Sequence, residues 1–134
     1  MINRHRFRTW MIGVVVSTLL LQGGCSNSAN RFELTGKVTR DGKPVFFGVI
    51  FFEPDATRGG SGPQGSAKIQ HGEYRTNDDF GVVEGPHNIR IVSYDGQSPS
   101  PFAPYGNSLP EYRTTVNIQK DTPSLDFEIV QAKK

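Results

Sequence analysis

From residue 32 onward, hydrophobic and polar residues alternate over short stretches, which is the period-two pattern of β-strands with one buried face. In the first stretch, Phe32, Leu34, Gly36 and Val38 alternate with polar residues. No stretch of this region keeps apolar residues at helical spacing for long, and Gly and Pro residues separate the runs. The pattern therefore predicts an all-β domain.

About seven short strands are expected. Turns are predicted at 41–42 and 71–72, Pro54 is expected to end the second strand, and the Gly-rich segment 55–65 is interpreted as a flexible, linker-like loop. The predicted strands are 32–39, 45–52, 67–70, 73–76, 87–94, 114–119 and 125–130. This number of strands, with turn signals at this spacing, favours a β-sandwich.

The second strand, 45–52, is apolar on both faces, whereas a sandwich strand normally has one polar face. Its side chains fall into two alternating sets: Phe46, Ile50 and Phe52, and Phe47, Val49 and Phe51. We expect another segment of the chain to cover the second set, with loop 95–111 as the candidate. Contact with a partner is the alternative.

Loop 95–111 contains four prolines and, together with the residue that follows it, three aromatic residues: Phe102, Tyr105 and Tyr112. Prolines stiffen an extended loop, and surface aromatics can stack on sugars or anchor a protein. Binding and simple cover over the sandwich edge both remain open. The candidate binding residues are Phe47, Val49, Phe51, Phe102, Tyr105 and Tyr112.

The N-terminus has the order of a bacterial export signal: three arginines, an apolar run at 10–21, then Gln22, Gly23, Gly24 and the only cysteine, Cys25. The twelve-residue run is too short to cross a bilayer as a helix, which takes about 20 residues. The segment resembles a lipoprotein signal with Cys25 as lipid acceptor, although Gln22 stands where that motif usually has Leu. An uncleaved anchor and ordinary cleavage nearby are the alternatives.

The predicted organisation is a signal peptide at 1–24, a polar tether at 25–31, a β-domain at 32–130 and a tail at 131–134. Residues 1–24 carry three of the fifteen basic residues and none of the thirteen acidic ones, so the mature chain has twelve basic and thirteen acidic residues, a formal charge of −1. This balance gives no reason to expect nucleic acid as a partner. With Cys25 lipidated, no disulfide is expected, and the protein is predicted to be extracytoplasmic and membrane-anchored, in the periplasm or at the cell surface.

Few residues suggest catalysis or metal binding. The mature chain has two histidines, His71 and His87, without the spacing of a zinc site, and it has no nucleophile-elbow motif. Asn77, Asp78, Asp79 and Glu84 offer oxygen ligands for calcium, but without EF-hand spacing they are equally ordinary turn residues. We expect no catalytic residues, metal or cofactor, and hence no enzyme.

Several segments resemble the carboxypeptidase-regulatory-like, or transthyretin-like, domains of small exported lipoproteins of planctomycete-type bacteria. The similar segments are 34–45 with Gly48, Ile50, Phe52 and Pro54, then 72–74, 85–91, 109–112 and 125–129. The resemblance implies a Greek-key β-sandwich. It does not imply an activity, because this fold carries many functions. The expected function is an interaction or structural module of the cell envelope with a protein or glycan partner. The alternative is a carbohydrate-binding domain that uses loop 95–111.

Overall fold

The computed structural model describes residues 30–77, 79–122 and 124–131. Within these ranges the chain forms eight strands, one 3-10 turn (Ala56–Arg58) and no α-helix. The strands are β1 (Thr35–Arg40), β2 (Lys43–Pro44), β3 (Phe47–Pro54), β4 (Gly65–Gln70), β5 (Glu73–Arg75), β6 (Gly85–Tyr94), β7 (Tyr112–Ile118) and β8 (Phe127–Ile129). The prediction of an all-β domain is confirmed.

Three predictions concern residues outside the described ranges. They are the signal peptide 1–24, the lipidated Cys25 and the calcium ligand Asp78. The same applies to residues 25–29 of the tether and 132–134 of the tail. Among the residues that the structure describes, no helix has the length and apolarity needed to span a membrane.

The strands form one curled sheet in the order β2-β1-β5-β4-β3-β6-β7. The last strand, β8, lies outside this order and pairs with β1. Neighbouring strands are antiparallel, except that β8 runs parallel to β1. The longest pairing joins β3 to β6 over eight residues of each strand, and β6 lies next to the edge strand β7.

The inner face of the curled sheet forms the core, because alternate side chains of each strand point to it. In β6 the inward positions are His87, Ile89, Ile91 and Ser93, as the alternation of that strand predicts for its last three. The other fully buried apolar side chains come from several strands and from segments next to them: Leu34, Val38, Ile50, Phe52, Ile69, Val82 and Ile118.

The second strand differs from its prediction at its beginning. Residues 43–44 form the additional strand β2, which makes eight strands instead of seven, and β3 begins at Phe47 instead of Val45. Between the two strands Val45 turns inward, and Phe46, expected on the inner face with Ile50, is 46% exposed. Phe46 instead contacts the turn between β4 and β5: its carbonyl accepts a hydrogen bond from His71 N, and its ring meets the His71 ring edge-on at 5.7 Å.

Both predicted glycine turns are present. Asp41 and Gly42 have φ angles of 50° and 77°, and His71 and Gly72 have φ angles of 50° and 81°. Positive φ at two successive positions is the geometry of the tight hairpin turn that matches the twist of the flanking strands. These turns connect β1 to β2 and β4 to β5.

Segment 55–65 is more structured than the sequence suggested. The Asp55 side chain accepts hydrogen bonds from Thr57 N and Thr57 Oγ1 and forms an ion pair with Arg58 at 2.6 Å. These hydrogen bonds lower the pKa of Asp55, with the Thr57 hydroxyl as the largest cause. A buried aspartate thus organises the first turn of this segment, and Gly60 N also donates a hydrogen bond to the Asp55 carbonyl at 2.8 Å.

Candidate functional site

A continuous row of side chains crosses the outer face of the sheet. The strand registers place Phe47 opposite Tyr94 on one side and opposite Gln70 on the other. Gln70 in turn lies opposite Glu73, and Glu73 lies opposite Lys37. The row is aromatic on β6 and β3 and polar on β4, β5 and β1, so the outer face has two regions with different chemistry.

The polar region is the floor of an open groove with a volume of about 1010 Å³. Its floor crosses four neighbouring strands, β1, β5, β4 and β3, and Val49 contributes an apolar contact. Charged residues of both signs line it: Lys37, Lys68, Arg75, Glu73 and Asp126. Uncharged polar residues line it as well: Thr35, Ser66, Gln70, Asn77 and Ser124. We call this feature the outer groove.

One wall of the outer groove is segment 124–126, which runs along the edge of β1. Leu125 N donates to the Thr35 carbonyl at 2.9 Å, and the hydroxyl of Tyr74 donates to the Leu125 carbonyl at 2.6 Å. Asp126 Oδ1 accepts from Lys37 N at 2.7 Å. Gly36 makes this approach possible, because a Cβ there would collide with the Leu125 backbone.

Asn77 and Phe80 form the second wall. Asn77 Oδ1 accepts a hydrogen bond from Phe80 N at 2.9 Å, and the Phe80 carbonyl accepts from Ser66 N at 3.0 Å. The turn is thereby attached to β4, and it holds the Phe80 side chain at the end of the groove with 54% of its surface exposed.

Several polar groups of the outer groove have no partner within the protein. The side chains of Lys37, Lys68, Gln70 and Glu73 are exposed and make no hydrogen bond or ion pair with any residue that the structure describes. Lys37 and Glu73 lie directly opposite each other on adjacent strands without forming an ion pair. Arg75, by contrast, is paired with Glu33 at 3.2 Å. Donors and acceptors are therefore free for a ligand.

In the aromatic region, loop 95–111 covers Phe47, one member of the set that it was expected to cover, whereas Val49 lines the outer groove. The Tyr105 ring lies flat on the Phe47 ring, with centroids 3.6 Å apart and 9° between the planes. Tyr94 is tilted against both rings, at 6.1 Å from Phe47 and 6.0 Å from Tyr105. One face of Phe47 is consequently used inside the protein.

Asp95 holds the two ends of the loop together. Its Oδ1 accepts from Gln97 N and Asn107 N, both at 2.8 Å, and its Oδ2 accepts from the Asn107 side chain at 3.0 Å. These hydrogen bonds lower the pKa of Asp95, with Gln97 N as the largest cause. Gly96 N also donates to the Tyr105 carbonyl. The loop is thus an ordered connection whose two ends are hydrogen-bonded to each other.

The remaining candidate residues occupy different surroundings. The Phe51 ring is covered by Arg90, whose guanidinium carbon lies 4.0 Å from the ring centroid. Phe102 is 99% exposed at the tip of a turn closed by reciprocal hydrogen bonds between Ser100 and Ala103. Tyr112 pairs with Ile91 and packs against the core, so it lies on the inner face, away from Phe47 and Phe51.

The two histidines lie far apart in the fold. His71 is exposed in the turn before β5, whereas His87 is fully buried on the inner face of β6. Within 30–77, 79–122 and 124–131 there is no group of three or more His, Cys, Asp or Glu residues arranged to hold a metal ion. Asn77, one of the candidate calcium ligands, uses its side-chain oxygen to close its own turn.

Sequence reasoning did not find the outer groove, although part of its signal was present. Lys68 and Gln70 alternate with Ala67 and Ile69, which marks a polar outer face on β4. A polar face is common, however, and the two walls come from segments almost 50 residues apart in the chain. These two segments lie on either side of one groove only because the strands between them pair in the folded protein.

In comparisons with known proteins, the chain matches no family model, no curated protein and no solved structure. The function is therefore argued from the chemistry of the outer face and from the order of residues at the N-terminus.

Proposed function

We propose that this protein is an exported, lipid-anchored β-domain that acts as an interaction module of the bacterial cell envelope, with a transthyretin-like Greek-key sandwich as its fold. The observation that carries the proposal is the outer groove, in which four polar side chains on adjacent strands are free for a partner. A site with a volume near 1000 Å³ has the size of a typical ligand pocket. Catalysis is not part of the proposal.

The junction between the predicted tether and the domain supports this arrangement. Arg31 Nη1 donates to three backbone carbonyls: Asp79 at 2.7 Å, Gly81 at 3.3 Å and Gln64 at 3.4 Å. Phe32 then pairs with Val82 through two backbone hydrogen bonds. The chain therefore enters the domain beside the turn that carries Phe80, so the predicted tether joins the domain at this end of the outer groove.

The experiment tests anchoring and interaction in the same cells. We expect mass spectrometry of the purified protein to find a diacylglyceryl or triacylated Cys25 as the N-terminal residue, and the protein to fractionate with membranes. Cys25→Ser is expected to lose the lipid, while Ser28→Ala, in the same polar segment, is expected to keep it. An unmodified Cys25 in the wild type would overturn the anchoring half of the proposal.

The interaction half is tested by photo-crosslinking. A photoreactive amino acid at position 70, in the outer groove, is expected to capture a recurrent envelope component. The same amino acid at position 120, an exposed site after β7, is expected to capture none. Equal capture at both positions would contradict the assignment of the groove as the binding surface.

The alternative, carbohydrate binding through loop 95–111, has one observation in its favour, which is the exposed ring of Phe102. The second ring, Tyr105, already stacks on Phe47, so the loop offers only one fully free aromatic side chain. Phe102→Ala would abolish glycan binding on this alternative and leave it unchanged if the outer groove is the site.

A further inference from the structure

We infer that the ligand of the outer groove is a linear, uncharged glycan, bound through its hydroxyl and amide groups. This inference rests on the proposed function, because it assigns a ligand class to the same surface. It differs from the loop alternative in the residues that make contact: Gln70, Glu73, Lys68 and Lys37 on the sheet, with Phe80 at the end of the groove.

The first step of the argument is the mixture of donors and acceptors. Lys37 and Lys68 only donate hydrogen bonds, ionised Glu73 only accepts them, and the Gln70 amide does both. A sugar hydroxyl also donates and accepts, so a chain of sugars can satisfy such a mixed set at successive positions. Hydrogen bonds that involve a charged side chain are roughly twice as strong as neutral ones, which favours these contacts even at an open site.

The second step is the charge of the groove. Three cationic and two anionic side chains line it, and one of the cations, Arg75, is already paired with Glu33. The two remaining cations, Lys37 and Lys68, are balanced by the carboxylates of Glu73 and Asp126, so the groove offers no net attraction to a polyanion and each carboxylate repels it locally. A ligand without a net charge meets no such repulsion.

The third step is the direction and reach of the groove. The floor crosses four neighbouring strands, β1, β5, β4 and β3. The three intervals between these strands add up to about 14 Å. This length suits a short stretch of a linear chain. The face of a sheet presents side chains, because its backbone groups are used in pairing between strands. A peptide that is recognised by adding a strand to a sheet binds the backbone of the sheet edge, whereas the outer groove offers side chains to its ligand.

The fourth step is the position of Phe80. Its ring is exposed beside the polar floor, where the turn from Asn77 holds it in place. An aromatic ring next to hydrogen-bonding groups can pack on the apolar face of a sugar ring while the polar side chains hold its hydroxyls.

The test uses the full-length lipoprotein in detergent micelles and isothermal titration calorimetry with chitohexaose and cellohexaose. We expect at least one of these probes to bind, and Gln70→Ala and Glu73→Gln each to weaken binding about tenfold. Phe80→Ala is expected to weaken binding to a similar degree. Binding of neither probe would overturn the inference.

Matched variants outside the outer groove separate its contribution from general effects. Glu128→Gln, Gln119→Ala and Phe102→Ala change the same kinds of residue at exposed positions elsewhere, and each is expected to leave the affinity unchanged. Loss of binding in Phe102→Ala with full binding in Phe80→Ala would move the glycan to loop 95–111 and overturn the inference. Unchanged unfolding midpoints for all variants will show that each one is folded.

Two further outcomes would overturn it. Because an uncharged ligand releases few counterions, we expect the affinity to change little between low and high salt, whereas a steep fall would assign the groove to a polyanion. Selection of peptides from a random dodecapeptide library, without binding of either oligosaccharide, would assign it to a peptide. The proposed function is measured separately, by the lipid on Cys25 and by crosslinking at position 70. It can therefore hold even if the glycan test fails.

Discussion

At the scale of single residues, His87 shows how burial changes the chemistry of a side chain. Its Nδ1 lies 2.9 Å from the Gly85 carbonyl, which assigns the proton to that nitrogen, while its Nε2 is buried without a partner among the described residues. Burial is the largest influence and lowers the pKa of His87 below its ordinary value of 6.5, although the Gly85 carbonyl acts in the opposite direction. The ring is therefore neutral in the folded protein at neutral pH.

This burial predicts a pH dependence of stability. Below about pH 6.5 the unfolded chain binds a proton at His87 that the folded protein resists, so the free energy of unfolding should fall as the pH is lowered from about 7.5 to about 5.5. His87→Asn, whose amide can donate to the Gly85 carbonyl, should flatten this part of the curve. Urea unfolding at these pH values measures it, with the exposed His71→Asn as control. The same slope in wild type and His87→Asn would refute the prediction.

The close approach of the Leu125 backbone to Gly36 leads to a second prediction for a single residue. An alanine Cβ there would collide with the Leu125 backbone and the Tyr74 ring, which should lower the free energy of unfolding by about 1–3 kcal/mol. Gly59→Asn is the control, because that site is open and Asn tolerates its positive φ of 86°. Equal losses for the two variants in urea unfolding would show that the approach of Leu125 is not what requires glycine at position 36.

At the scale of elements, loop 95–111 is closed at its ends and attached to the sheet by a ring stack and by hydrogen bonds. Asp95 closes its ends, and Tyr105 stacks on Phe47 of β3. Arg40 of β1 adds a hydrogen bond to the Pro110 carbonyl at 2.9 Å and another to Ser93 Oγ at 3.1 Å. The loop is thereby part of the folded unit, although it contains no long strand.

The stacking contact can be tested by truncation. Tyr105→Ala should lower the free energy of unfolding by about 1 kcal/mol or more, since aromatic pairs contribute about 0.5–1.5 kcal/mol beyond the area they bury. It should also increase hydrogen exchange at Gly96 N, which donates to the Tyr105 carbonyl. Phe102→Ala, at the exposed tip, should change the free energy by less than about 0.5 kcal/mol. If both variants behave alike, the stack does not hold the loop.

At the scale of the whole molecule, charge is divided unevenly between the predicted signal and the domain. Arg4, Arg6 and Arg8 account for the excess of basic residues, and the chain from Cys25 onward has a formal charge of −1. If residues 1–24 are removed as predicted, the basic character of the full chain, with an isoelectric point near 8.8, is expected to disappear.

Isoelectric focusing measures this change. Protein purified from membranes should focus below about pH 7 if the predicted signal is removed before Cys25, because twelve basic residues then face thirteen acidic ones. Protein made without access to the export machinery should focus near the value of the full chain. A membrane-derived protein that also focuses there would show that residues 1–24 are retained.

The strands themselves were largely predictable from sequence, because the alternation of side chains between two faces is a local property of an extended chain. Ile89, Ile91 and Ser93 in β6, and Phe127 and Ile129 in β8, are buried as the alternation predicts. The glycine turns were predictable for the same reason, since positive φ is a property of single residues. The start of the second strand was not predictable. Phe46 faces outward and contacts His71, which lies 25 residues away in the chain.

The sequence by itself thus determined the all-β class, the burial pattern of most strands and the residues of the two tight turns. Tertiary structure alone decided that Tyr105 covers Phe47 and that Tyr112 faces the core. It also decided that an open groove lies on the outer face of the sheet, on the side away from the core. These features depend on which strands become neighbours and on how Asn77, Phe80 and segment 124–126 approach them. Such long-range pairing is set by packing of the whole chain, and no local pattern records it.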